Sequence, residues 1–156
     1  MTAPLLSVRD LVIDIDTPRG TLHAVRGVSF DVNPGETLCL VGESGCGKSM
    51  TALALMGLLP KQARRTVGTL TFEGEDLAKA GDARVAALRG RRMAMIFQEP
   101  MTALNPVYSI GTQLCEVHQR HLGRGRAQAR ERAVELLGRV GITSPDERLA
   151  QYPHQL

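Results

Sequence analysis

The residues with chemistry to offer are Gly42-Glu43-Ser44-Gly45-Cys46-Gly47-Lys48-Ser49, which fit Gly-x-x-x-x-Gly-Lys-Ser/Thr in full. Triphosphate oxygens need many donors at close range, and backbone N–H groups supply them without side-chain entropy cost. Gly42, Gly45 and Gly47 allow the dihedrals that turn successive amides inward as an anion nest. The N-terminus of a following helix adds its dipole and its unpaired N–H groups. In such a loop the Lys48 ammonium reaches the β- and γ-phosphates and the Ser49 hydroxyl ligates Mg²⁺. Glu43, Ser44 and Cys46 fill the variable positions, and Met50 adds a backbone N–H. Cys46 reads as filler rather than as a reactive thiol.

A loop of this kind needs a buried strand before it and a helix after it. Thr37–Val41 is a short continuous apolar run, the mark of a strand buried on both faces. Lys48–Leu59 reads as the helix, ending before Pro60. Upstream, Leu5–Asp16 and Leu22–Val32 read as two strands joined at Thr17-Pro18-Arg19-Gly20, an antiparallel pair. Downstream, Thr66–Glu73 reads as a strand, Asp82–Arg89 as a short basic helix and Arg92–Gln98 as a second buried strand. After Glu99–Pro106 the period turns helical, over Ile110–Leu122 and Ala127–Val140, with Gly123-Arg124-Gly125 between them. The expected organisation is a nucleotide-binding α/β core over 1–106 and the start of a helical subdomain over 107–156.

Composition agrees with a folded domain. Hydrophobic residues make up 43% of 156, aromatics 3% and Trp none, so a core of aliphatic side chains is expected. The net charge is +3. The basic runs Lys61–Arg65, Arg84–Arg92 and Arg120–Arg132 lack interleaved aromatics for base stacking, so they read as solvated faces and no nucleic-acid partner is expected. Three cysteines without paired spacing give neither a disulfide framework nor a metal knuckle. Cys115, His118 and His121 step around a helix by about 60° each, with no fourth ligand, and are set aside as a zinc site. The N-terminal residues lack a signal-peptide pattern, and no apolar run reaches the roughly 18 residues of a membrane span.

The phosphate loop alone does not choose among GTPases, nucleotide kinases and other ATPases. No Asp-x-x-Gly or Asn-Lys-x-Asp string follows it. Arg91–Pro106 does choose: a strand ending in Gln98, about fifty residues after Lys48, with Glu99-Pro100 next, resembles the Q-loop of ABC ATPases. Gly42-Glu43-Ser44-Gly45, Met56-Gly57-Leu58-Leu59-Pro60, Phe97–Pro106 and Tyr152-Pro153-His154-Gln155-Leu156 resemble the ATP-binding subunits of dipeptide/oligopeptide and nickel importers, in order along the whole chain.

The resemblance implies an α/β fold, a P-loop NTPase (RecA-like) partial core with an antiparallel β subdomain and the start of an all-helical subdomain. It implies ATP and Mg²⁺ as ligands, with Gly42–Met50 on the nucleotide, Ser49 and Gln98 at the metal, and Gln98 holding the attacking water. Implied partners are a second ATPase subunit, transmembrane permease subunits and, indirectly, an extracytoplasmic binding protein. The implied location is the cytoplasmic face of a bacterial plasma membrane. Two residues depart from the family's pattern. Met50 stands where Thr is common, so a hydroxyl contact is lost unless Thr51 substitutes. The first two strands offer Arg19 and His23 where an aromatic usually stacks on adenine. His154 precedes the signature position and is not the family's switch His; a helix-end or surface role is expected for it. The signature, the acidic base and the switch His do not follow Leu156, so the 156-residue chain alone is expected to bind ATP–Mg²⁺ weakly and not to turn it over, and its fold to be marginal. A soluble ABC ATPase acting on nucleic acid or ribosomes, and a non-catalytic nucleotide-binding fragment, are the alternatives.

Overall fold

Strands β1 (Leu6–Thr17) and β2 (Gly20–Val32) form the long hairpin expected from their composition, turning through Pro18 and Arg19. The Thr17 hydroxyl closes the turn by donating to the carbonyl of Gly20 at 2.6 Å. In β1 the buried residues are Val8, Leu11 and Ile13, which strict alternation would not put on one face. The register against β2 slips between Val8 and Leu11, and Asp10 there takes a φ of 54°. One extra residue at this bulge restores all three side chains to the core. A computed structural model describes residues 3–99 and 103–155. Pro100, Met101 and Thr102 of the stretch 97–106 and Leu156 of 152–156 lie outside them, as do Met1 and Thr2.

The opposite edge of β1 is shared by two short strands. β3 (Ala63–Thr66) pairs with Val12–Ile15, and β4 (Thr69–Phe72) pairs with Leu6–Arg9. Gly68 spans the gap between them, its N–H donating to the Arg9 carbonyl at 2.9 Å beside the bulge. The single strand expected over 66–73 is therefore two, and part of the basic run Lys61–Arg65 is a strand rather than a solvated face. Arg65 is half-buried and donates to the carbonyls of Ala54 at 3.0 Å and Leu77 at 3.4 Å. β5 (Glu75–Asp76) completes the sheet, whose order is β2-β1-β4-β5 and whose pairs are all antiparallel.

Helix α1 (Lys48–Leu55) lies against this sheet, and α2 (Asp82–Leu88) follows β5. The core joins Val8, Leu11, Ile13, Val25, Ala54, Leu70, Phe72, Leu77 and Leu88. Each large aliphatic side chain buried here contributes about 1.5–3 kcal/mol. α1 ends earlier than Pro60 would dictate. Gly57 takes a φ of 64°, and Leu58 N–H returns to the Leu53 carbonyl at 2.8 Å, a Schellman stop.

Two expected strands are absent. Residues 37–41 and 92–98 are extended or turned but unpaired, apart from one bridge between Arg89 and Met93. Val41 is 93% exposed and Ile96 92%. An apolar run becomes a doubly buried strand only with strands on both sides and helices on both faces; among the described residues no strand pairs with either segment.

The chain divides into two compact units, Met1–Met93 and Ala94–Leu156. The second is helical: α3 (Ile110–Leu122), α4 (Arg126–Arg139), the short α5 (Pro145–Arg148) and a 3₁₀ turn at Pro153–Gln155. α3 has the limits read from its period, because both ends are encoded locally. Ser109 caps it by accepting from Thr112 N–H at 3.2 Å, and Gly123 stops it at φ 62°. Ile110, Ala133, Leu137 and Leu149 form this unit's core. Among the described residues no helix is long and apolar enough to cross a membrane.

Candidate nucleotide-binding site

The loop Gly42–Ser49 lies between the turn that ends β2 and the first residues of α1. That turn is fixed by Glu36, whose carboxylate accepts from the Asn33 backbone N–H at 2.7 Å and side-chain amide at 2.8 Å. Gly47 is the N-cap of α1, left-handed at φ 91°, and it carries no side chain to cap the helix. The first-turn amides of α1, at Lys48, Ser49 and Met50, thus have neither an intrahelical acceptor nor a side-chain cap. They are the donors an anion would take.

Gly47 is the buried point of the loop, beside the half-buried Lys48, and the loop's other residues are exposed. A Cβ there would overlap the Ala24 carbonyl oxygen and come within 2.8 Å of Val25 Cγ2. The loop is therefore seated on β2 at Ala24–Val25, a support that sequence spacing did not reveal. Gly45, at φ 81°, has nothing within 4 Å of where its Cβ would be and faces open space. Gly42 sits under the Cys46 thiol, which fills the space a Cβ on Gly42 would need.

Lys48 bends back over the loop. Its Nζ donates to the carbonyls of Gly42 and Glu43, both at 2.8 Å, and approaches Cys46 Sγ at 3.5 Å. The ammonium is thus held across the loop by its backbone, one charge beside a row of outward amides. Ser49 is exposed in the first turn of α1, next to Lys48. Thr51 does not take over the hydroxyl role at Met50. It is 3% exposed, and its Oγ1 donates into the helix, to the Gly47 carbonyl at 3.1 Å. This donor set of free amides, one ammonium and one exposed hydroxyl suits a polyphosphate with its metal.

Of the other expected site residues, four stay with the loop and α1, and the rest fall elsewhere. Glu43, Ser44 and Cys46 are exposed in the loop, and Met50 is half-buried. Gln98 is exposed in a bend of the second unit rather than at a strand end. Arg19 is exposed in the β1–β2 turn, and the exposed His23 pairs through Nδ1 with Asp14 Oδ1 at 2.7 Å. His154 lies in the terminal 3₁₀ turn, its ring stacked on Tyr152 with centroids 5.8 Å apart.

A model of the family described as "ABC transporter" matches residues 25–156. The chain belongs to the ABC transporter family. Among curated relatives of this ABC protein, the dipeptide transport ATP-binding protein DppD of Bacillus subtilis (strain 168) is 49% identical over 152 residues, covering 97% of the chain and 45% of that relative. The oligopeptide transport ATP-binding protein OppD of the same strain is 45% identical, covering 97% of the chain and 42% of its own length. The peptidoglycan transport ATP-binding protein YejF of Agrobacterium fabrum (strain C58 / ATCC 33970) is 47% identical, over 99% of the chain and 29% of its own. The chain thus spans less than half the length of these relatives. The ATP-binding cassette MJ0796, solved as a dimer in a post-hydrolysis state with ADP and Pi, superposes with a TM-score of 0.82 at 18% identity, over 97% of this chain and 62% of its own. That likeness shows the fold: this ABC chain is α/β, a partial P-loop NTPase core with its antiparallel β subdomain and the start of a helical subdomain.

Proposed function

We propose that the chain is the ATP-gripping part of the ATP-binding subunit of a peptide-type ABC importer, coupling ATP hydrolysis to uptake. The observation that carries the grip is Lys48, held across the loop by the carbonyls of Gly42 and Glu43 beside the uncapped first turn of α1. With ATP–Mg²⁺ bound, the N–H groups of Gly45–Met50 would hold the phosphates, Lys48 would exchange loop carbonyls for phosphate oxygens, and Ser49 would offer its hydroxyl to the metal. Bound Mg²⁺ supplies charge neutralisation at the phosphates. Gln98 is proposed as a further metal and water ligand, on its place in Phe97-Gln98-Glu99. The peptide class rests on the relatives named for dipeptide and oligopeptide transport.

In this reading the subunit pairs with a second ATPase subunit, sits at the cytoplasmic face of a bacterial plasma membrane on permease subunits, and has its helical part, from residue 107, toward the permease. Peptides reach the permease through an extracytoplasmic binding protein.

The test is equilibrium binding of a fluorescent ATP analogue with Mg²⁺ to the chain and to Lys48→Ala. Loss of one or two charge-assisted hydrogen bonds predicts at least about tenfold weaker binding. The thermal midpoint should barely move, since among the described residues the Lys48 ammonium hydrogen-bonds within the loop, to Gly42, Glu43 and Cys46. Equal affinity of the two proteins would refute the assignment.

A further inference from the structure

The helical unit carries a cavity of mixed polar and apolar lining, none of it from the loop Gly42–Ser49. It measures about 470 Å³, within the range of small-molecule sites. Its floor is one stripe of α3, Thr112, Cys115 and Gln119, at the helical steps that share a face. Its wall is Arg126 and Arg130, one turn apart on α4, and its rim includes Asp146 of α5. Two guanidinium groups and one carboxylate therefore line the cavity.

The two cations are not equivalent. Arg130 donates to Asp146 Oδ1 at 2.7 Å, and the pair holds the Asp146 carboxyl below its usual range. Arg126 has no hydrogen-bond or ion-pair partner among the described residues. One charge in the cavity is thus unmatched, and the second is matched only by a rim carboxylate that a ligand anion can replace. Around them stand the amide of Gln119 and the hydroxyl of Thr112, the latter paired with Ser109 Oγ at 2.9 Å.

We propose that this cavity binds a small organic anion, a carboxylate or a phosphate monoester, with its charge on Arg126 and in competition with Asp146 for Arg130. The proposal is independent of the nucleotide reading, whose loop Gly42–Ser49 lies in the other unit.

The cysteines report on it directly. Cys115 is in the cavity floor, Cys46 in the phosphate loop, and Cys39 is exposed in neither. The experiment measures iodoacetamide alkylation of each cysteine by peptide mass spectrometry, with citrate or glycerol 2-phosphate added against sodium chloride of equal ionic strength. The expected result is slower alkylation of Cys115, at unchanged Cys39, with at least one probe; the probe that protects identifies the anion. Asp146→Asn should lower the protecting concentration about three- to tenfold by freeing Arg130, and Arg126→Glu should abolish protection. Circular dichroism checks that both variants fold, and the tightening by Asp146→Asn cannot come from unfolding. Protection matched by sodium chloride, protection that survives Arg126→Glu, slowing at Cys46 alone, or no slowing with either probe would each overturn the proposal.

Discussion

Gly47 lies so close to the carbonyl oxygen of Ala24 that no side chain fits between loop and strand. The last glycine of the phosphate loop therefore does two things at once. Its positive φ starts α1 with its amides outward, and its missing Cβ lets the loop seat on β2.

That geometry separates two glycine substitutions. Gly47→Ala combines left-handed strain with overlap of backbone, and should cost more than about 2 kcal/mol and abolish nucleotide binding. Gly45→Ala meets open space and carries only the strain, about 1–2 kcal/mol. Urea denaturation of both variants measures the difference; equal losses would show that the seat on Ala24 does not matter.

Gly111 makes a similar approach in the helical unit. Its N–H donates to the Leu149 carbonyl at 2.8 Å, and a Cβ would come within 2.8 Å of that oxygen and 3.1 Å of Leu149 Cβ. Gly111 is helical, so an alanine gains propensity but must push α3 from the Leu149 segment. Overpacking should win, with a net loss of about 1–2 kcal/mol. A Gly111→Ala variant as stable as the parent in denaturant would show that this contact relaxes freely.

His118 predicts a pH dependence. Burial, and then the nearby Arg124 and Arg132, push its imidazole below the ordinary value of 6.5, and its buried Nδ1 has no hydrogen-bond partner among the described residues. Between the folded and unfolded pKa the unfolded chain binds more protons, so stability rises with pH across that interval. The contribution is complete above 6.5 and is lost as pH falls through the lower folded value. His118→Gln should flatten the thermal midpoint against pH just below 6.5. An unchanged slope in the variant would assign the dependence to other groups.

Much of this was readable from residues alone because the signals are local. Gly42–Ser49 is a spacing of small residues and one cation, and its chemistry does not depend on distant chain. α3 begins at Ser109 and ends at Gly123 because a hydroxyl caps one end and a left-handed glycine the other. The hairpin of β1 and β2 follows from two β-branched runs around Pro18-Arg19. The bulge at Asp10 was not readable, since it is a compromise between β2 on one edge and β3 and β4 on the other. Nor was β3, whose Arg64 and Arg65 carry no apolar alternation and which forms because β1 offers an open edge.

Covalent order alone brings together the glycine amides, the Lys48 ammonium and the Ser49 hydroxyl, the donors proposed to grip a polyphosphate. How they are held is a matter of packing. It seats Gly47 on Ala24, turns the Thr51 hydroxyl inward to Gly47, and bends Lys48 over Gly42 and Glu43. Among the described residues it also leaves the apolar runs at 37–41 and 92–98 outside the sheet, although their composition reads as buried strand. A run of apolar residues states a preference for burial, and whether it is met depends on neighbours that the run does not encode.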